Sequence, residues 1–395
     1  MYKQLIEYEN DFTVFLNFID KDLVYLTVAV KDHKNDLIDV SSNIYNKIAQ
    51  IINTNSLQIV HERFYGKNCH YQKIINSREN AFKYNIGNNP LPFSYIEGKP
   101  CNNTQFAGVQ IEAIVPNYKN NKVWTITENN LSYGRGWRRN NVSYLIIQNM
   151  NGYSSIPGNF NSRTEQTERM FNNIEKILND HGSKYIDIVR TWIYLSKILE
   201  WYDDFNKIRN KKYYEYGFDL DKNPSNKKIT LPASTGIEGS NPTGSATLMD
   251  ILAVIRDPNI PIEIEQMNSK KQKSPFHYGS AFSRAIRIIE PNNTTIHISG
   301  TASIDEKGKS VYSKDIYGQI RKTLDIFNEL ISSEGATFQD ISQATVFLKN
   351  SDDFDIYKKI IEEYKLENMP AVCIQANICR EDLLFEIDGT ICKSK

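Results

Sequence analysis

The chain has no excess charge of either sign: its 395 residues carry 47 Lys and Arg against 47 Asp and Glu, a formal net charge of zero at pH 7. No global field therefore draws nucleic acid or an anionic membrane to it, and any anionic ligand has to be held by local charge. Cysteine is sparse. Cys69, Cys101, Cys373, Cys379 and Cys392 form no CxxC pair, and being five they cannot all pair within the chain. Reduced thiols in a cytoplasm are the simplest reading. The six His are scattered, with no HxxxH, no Cys/His cluster and no metal-ligand spacing. No apolar run reaches the ~18 residues of a membrane span, and Met1-Tyr-Lys-Gln-Leu-Ile-Glu-Tyr-Glu9 has neither a basic nor an apolar leader region. The expectation is a cytoplasmic protein with no membrane or nucleic-acid partner, no metal and no organic cofactor.

What is present is core material: 40% apolar residues, with 23 Tyr and 18 Phe. A chain of this length exceeds one ordinary core, and at ~150 residues per domain it divides into two or three. Residues 1 to about 120 are the least legible. Phe12-Thr-Val-Phe-Leu-Asn-Phe18 and Leu23-Val-Tyr-Leu-Thr-Val-Ala-Val30 read as strands from their β-branched and aromatic content. The polar stretch Asn85 to Pro92 then punctuates the chain.

From about residue 130 an internal repeat appears. Met170 to Leu195 matches Thr323 to Leu348, with Gly182 against Gly335 and Asp187 against Asp340 at the same offset. The match continues from Tyr202–Ile208 against Asp353–Ile360 to Leu231-Pro-Ala against Met369-Pro-Ala, and upstream Tyr133-Gly134 pairs with Tyr278-Gly279. In each copy an amphipathic helix (Ile174, Ile177, Leu178; Leu324, Phe327, Leu330, Ile331) ends at a Gly suited to a left-handed cap. An apolar strand, a second helix, a Pro-Ala turn and a final strand follow. Strands alternating with three-turn helices imply a mixed sheet with helices on one face.

The final strand-like stretch, Cys379 to Gly389, alternates Leu383, Phe385 and Ile387 with Leu384, Glu386 and Asp388. Glu386 thus stands on the face opposite three apolar neighbours. Alternation leaves two readings open, a solvated outer carboxylate or an acid held in a cleft.

The second copy resembles the RidA/YjgF superfamily along its whole length, through Ile298-Ser-Gly-Thr-Ala-Ser-Ile304, the Gln319 to Gly335 helix, Ala336 to Leu348 and Leu384-Phe-Glu-Ile387. That superfamily's small enzymes are imine deaminases with an Arg directly after the Pro-Ala pair. Val372 stands at that place here, so the deaminase's carboxylate clamp is missing. The tandem arrangement resembles a narrower group, the chorismatases. The carrying motifs are Tyr133-Gly-Arg-Gly-Trp-Arg138, Arg190-Thr-Trp-Ile-Tyr194, Trp201 to Arg209, Leu231-Pro-Ala-Ser-Thr-Gly-Ile237, Tyr278-Gly-Ser-Ala-Phe-Ser-Arg284, Ser299-Gly-Thr-Ala-Ser303 and Cys379 to Glu386.

The resemblance implies an α/β (α+β) fold of two tandem RidA/YjgF-like, chorismate mutase-like domains. Residues 126–265 would form the first and 266–395 the second, which carries most of the active site; residues 1–125 would elaborate the first. Small RidA proteins are trimers with sites between subunits, and a tandem chain can supply two of those faces itself. A monomer or small homo-oligomer is expected.

The resemblance further implies chorismate as substrate, protonated on the methylene of its enolpyruvyl ether to give an oxocarbenium ion that loses pyruvate. Protonation at carbon needs a positioned acid whose pKa an apolar site raises toward neutrality. Glu386 holds the family's catalytic place. Two substrate carboxylates need fixed cations. Arg209 is the first candidate, against a helix-surface ion pair with Asp203 or Asp204. Arg380 is a second clamp or a solvent-facing turn residue, and Arg284 and Arg135 are weaker because Arg beside aromatics is often just stacked. Tyr214 is a hydroxyl donor or a core Tyr. Gly300 allows close backbone approach or makes a tight turn, with Thr301 and Ala302 beside it in the candidate substrate pocket. Ser234 and Thr235 line the same cleft or serve as turn residues. Cys379, seven residues before Glu386, resembles the branch that makes 3-hydroxybenzoate, where Ala marks the branch that yields a dihydroxycyclohexadiene carboxylate. Ala302, at a second determinant, points to the hydrolytic branch. The alternatives are a RidA-like imine or enamine deaminase and a catalytically silent small-molecule binder.

Overall fold

Runs rich in β-branched and aromatic residues become strands, and the 3.6-period apolar stretches between them become helices laid on one side of a sheet. The computed structural model describes residues 3–32, 35–85, 91–102, 104–152, 162–218, 230–255, 259, 262–272 and 280–394. Among these residues three mixed sheets form. The first takes β1 (Lys3–Tyr8), β2 (Phe12–Ile19), β3 (Leu23–Val30), β4 (Gln58–Gly66), β5 (Ser94–Glu97) and, after the short β6 (Lys99–Pro100), β7 (Phe106–Ile114). Its spatial order is β1-β2-β3-β7-β4-β5. The second takes β8 (Lys122–Glu128), β9 (Leu131–Arg139), β10 (Val142–Met150), β11 (Ile188–Leu195), β12 (Ala233–Glu238) and β13 (Thr247–Ile255). Its order, β8-β9-β10-β13-β11-β12, is the same path. So is that of the third, β14 (Glu263–Met267), β15 (Ala285–Ile289), β16 (Asn293–Ala302), β17 (Ile341–Leu348), β18 (Ala371–Gln375) and β19 (Phe385–Ser394). Two helices accompany each sheet: α1 (Leu37–Thr54) and α2 (Tyr71–Asn85), α3 (Arg163–Asp180) and α4 (Tyr202–Glu215), α5 (Ile316–Ser332) and α6 (Phe354–Glu363).

Details of register make the three units copies of one plan. The fourth strand of each is parallel to the fifth, as in β4–β5, β11–β12 and β17–β18. The same strand bulges against the last strand at one equivalent place, between Ile59 and His61, Ile188 and Arg190, and Ile341 and Gln343. The first helix of each ends in a residue of positive φ: Gly182 (74°), Gly335 (64°) and, in the first unit, Ser56 (50°).

This corrects the expectation for residues 1–125. They do not elaborate the first repeat but build a sheet and helix pair of their own. Their copy escapes sequence comparison because Ser56 occupies the left-handed position where the other two use Gly, at some conformational cost. The expected boundaries shift as well, since β8 begins at Lys122 and β14 at Glu263, ahead of 126 and 266. Tyr278 and Gly279, invoked as the partner of Tyr133-Gly134, and most of the polar stretch after Asn85 lie outside the described residues.

Each helix pair covers the outer face of its own sheet and closes a separate apolar core. The inner faces of all three converge on a fourth, central core with Tyr65, Ile96, Trp137, Trp192, Tyr194, Ile286 and Phe347. Polar side chains stitch this centre: Asn17 Nδ2 donates to the Ser342 carbonyl (2.7 Å), His61 meets Asp250 (2.9 Å) and Arg63 stacks on Trp192 at 4.6 Å. Arg139 binds Asp22 and Glu290, from the first and third units, at 3.0 and 2.9 Å. Buried ions persist where each is paired and hydrogen-bonded, as Arg139 is with Asp22 and Glu290. One strand crosses over: β6, from the first unit, extends the third sheet by pairing Pro100 with Ile374 and Lys99 with Gln375. The chain thus closes on itself as a ring of three similar units. No helix among the described residues is long and apolar enough to cross a membrane.

Candidate active site

On β19, Phe385 and Ile387 enter the core beneath α5 and α6, and the two-residue period turns Glu386 and Asp388 to the inner face. There Glu386, 4% exposed, lines a cavity of about 220 Å³ between the second and third units. Gly300 and Ala302 on β16 stand beside it, Ala302 being its register partner. A Cβ at position 300 would collide with the Glu386 carboxylate oxygen and lie 2.8 Å from Cδ. Glycine is there to admit this side chain.

The second unit supplies the facing wall. α4 turns Arg209, 1% exposed, into the cavity. One helical turn earlier, Asn206 Oδ1 accepts from its Nη2 (2.6 Å), and the guanidinium lies 5.5 Å from the ring centres of Phe205 and Phe282. Asp204 pairs instead with Lys207 (2.8 Å), and no ion pair of Arg209 with Asp203 or Asp204 forms among the described residues. Arg284 is buried against Phe282, at 5.6 Å. Arg380 lines the mouth and donates to the Gly308 carbonyl at 3.0 Å. Cys379, Ser234 and Gly236 also line it, as do Tyr202, Asp203, Ser280 and Ile304.

Four of the expected residues are elsewhere. Tyr214 is 75% exposed. Five residues after Arg209 it lies roughly 140° round the helix, facing solvent. Thr301 is fully buried between the two cavity-facing positions of its strand, so the pleat turns it away, and its hydroxyl donates to the Ser299 carbonyl (2.9 Å). Arg135 lies on β9, hydrogen-bonded to Thr125 across the β8–β9 pair and not in the cavity lining. Thr235 stands behind the lining, where its hydroxyl donates to Asp388 at 2.6 Å.

Asp388 is the residue that sequence reasoning missed, although the alternation placing Glu386 also places it. Arg190 Nη2 donates to it at 2.9 Å and the Thr345 backbone N–H at 3.2 Å. Burial, and then the charge of Asp388, push the Glu386 carboxyl up to about 8, against the pull of Arg284 and Arg190. Burial and the neighbouring Glu386 push the Cys379 thiol up to about 12, so it is a thiol and not a thiolate at neutral pH. The cavity therefore combines a protonated carboxylic acid with a set of arginines, suited to giving a proton to a bound anion. Val372, at the deaminase Arg position, is buried in the central core. No group of three or more metal-ligating side chains occurs among the described residues.

Comparison with known proteins follows this division of the chain. Residues 275–392 match the model of the family described as Endoribonuclease L-PSP. A RutC family protein of Sulfurisphaera tokodaii is 30% identical over 122 residues, 31% of this chain and 93% of that protein. A chorismatase of Streptomyces hygroscopicus is 27% identical over 246 residues, 58% of this chain and 67% of its own length. In fold, the crystal structure of a chorismatase superposes with a TM-score of 0.59 at 18% identity, covering 84% of this chain and 92% of that one. The chain belongs to the RutC family, within the RidA/YjgF-like superfamily, and beyond its last unit its similarity runs to the chorismatases.

Proposed function

We propose that the protein is a chorismatase-type enzyme that protonates the enolpyruvyl group of chorismate and releases pyruvate. The observation that carries this reading is Glu386, buried in a cleft lined by Arg209, Arg284 and Arg380 and protonated near neutrality. The arginines hold the two substrate carboxylates. Glu386 gives its proton to the vinyl methylene, which becomes a methyl group, and the ether carbon becomes an oxocarbenium ion beside a new carboxylate. In the hydrolytic course water adds to that carbon, Glu386 takes back a proton, and the hemiketal collapses to pyruvate and a ring diol. In the other course the neighbouring ring hydroxyl attacks the ring carbon that bears the ether, giving its proton back to Glu386 as that carbon–oxygen bond breaks and pyruvate leaves. The epoxide-like intermediate then opens with loss of the ring C–H proton and protonation of the oxygen, and the ring aromatises to 3-hydroxybenzoate. Cys379 at the cavity wall favours the second course and Ala302 the first; the reading adopted is 3-hydroxybenzoate, on the resemblance carried by Cys379 in the cleft lining.

The test is incubation with chorismate, pyruvate being followed by a coupled dehydrogenase and the ring product by chromatography. The expected result is stoichiometric pyruvate and 3-hydroxybenzoate, with Glu386→Gln reducing turnover at least 10³-fold in a folded protein. Absence of pyruvate at high enzyme concentration overturns the reading, and a diene diol overturns the product.

A further inference from the structure

Ring closure by three similar units creates related clefts between them. The Glu386 cavity lies where α4 and β12 of the second unit meet β16 and β19 of the third. Where α6 and β18 of the third unit meet β2 and β3 of the first, a cavity of about 330 Å³ opens. Backbone register identifies corresponding positions. Glu386 opposes Phe347 and Ala302, and Gly108 opposes Tyr65 and Ala29. Ala29 lines this cavity as Ala302 lines the other, and Ala371 and Cys373 stand where Ser234 and Gly236 do. Phe15 occupies the place of Arg284, and Ile361, on α6, that of Arg209. The architecture of a ligand cleft has been kept while each buried ionic group has been exchanged for an apolar one.

We propose that this second cleft is a ligand site for one uncharged aromatic molecule of one or two fused rings. Its floor is Phe15, Ala29, Tyr357, Ile361, Met369 and Ala371. A buried anion there would have no counter-ion, at a cost of several kcal/mol. Charge is confined to the rim, where Lys31 and Lys358 are balanced by Glu362 and Glu367. A dianion such as the one suited to the Glu386 cavity is therefore excluded, and a ring that packs against Phe15, Tyr357 and Met369 is favoured by its apolar area and by sulfur–aromatic contact. The volume suits one such ring system and exceeds that of the Glu386 cavity.

Calorimetric titration of the full chain with indole tests this without reference to turnover. The expected result is one indole per chain, weakened roughly tenfold or more by Ala29→Phe, which fills the cleft from β3, and by Ala371→Leu, which fills it from β18. Binding should be unchanged by Ala302→Phe, which fills the other cavity, and benzoate, the charged counterpart, should bind this cleft at least roughly tenfold less tightly. The proposal is overturned if indole does not bind, if its binding is lost with Ala302→Phe and kept with both cleft variants, or if benzoate competes with it on equal terms.

Discussion

Glu386 holds its proton near pH 7 because the fold has removed water from it and set Asp388 two residues along on the same face. Since the acid form is the reactive one, chorismate turnover should be level through neutrality and fall about tenfold per unit above pH ~8, read from a pH–rate profile. The same shift bears on stability. The folded-state value, about 8, lies above the ordinary 4.5, so the folded chain binds the extra proton between them. Stability present at acid pH is lost as pH rises through that value. Glu386→Gln removes the loss, and its melting temperature should exceed the parent's by a margin that widens from about pH 5 to about pH 9. At Gly300 an added methyl meets the carboxylate itself. Gly300→Ala should cost roughly 10²-fold in kcat by displacing the acid, with the far-ultraviolet circular dichroism retained. Glu386 and Gly300 are legible in the sequence because one alternating strand and one glycine carry their meaning locally. Thr301 is misplaced by motif membership and Tyr214 by nearness to Arg209 in the chain, neither of which takes account of the pleat and helical periods that turn them inward and outward.

At the scale of elements, β19 and α4 do most of the positioning. β19 carries Glu386 and Asp388 as neighbours on one face, and Asp388 is fixed by Arg190 and Thr235 from the second unit. Asp388→Asn takes a negative charge from beside Glu386, so the acid ionises more readily and the alkaline limb of the pH–rate profile should move to lower pH. It also strips a buried guanidinium of its partner, and unfolding by denaturant should register a loss of roughly 3–5 kcal/mol. A purely structural role for Asp388 would produce the second effect without the first. The helices and strands of the second and third units are readable because Gly182 and Gly335 end equivalent helices and set the repeat in register. In the first unit Ser56 does that work, and no composition signal distinguishes a serine in left-handed conformation from one in an ordinary turn.

For the whole molecule, the ring explains why one carboxylic acid suffices. The positions equivalent to Glu386 are Leu248 and Gly108, so one of three related clefts holds the acid. A homotrimer repeats every substitution at all its interfaces, whereas a single chain lets each diverge separately. The first unit is needed structurally even though it adds nothing to the Glu386 cavity lining. It covers Trp192 with Arg63 and supplies the acid side chain of Asp22 to Arg139. A chain cut to residues 122–395 exposes the apolar inner faces of both remaining sheets. It should elute from gel filtration as self-associated material with the near-ultraviolet signal of its buried tryptophans lost. That dependence is invisible in the sequence, since it resides in contacts between faces far apart in the chain.

The short strand β6 also sets a clock on biosynthesis. Ile374 and Gln375 are synthesised more than 270 residues after their partners Pro100 and Lys99. At roughly 5–20 residues per second the segment waits on the order of 15–50 s. For that interval the nascent polypeptide carries an unclosed seam.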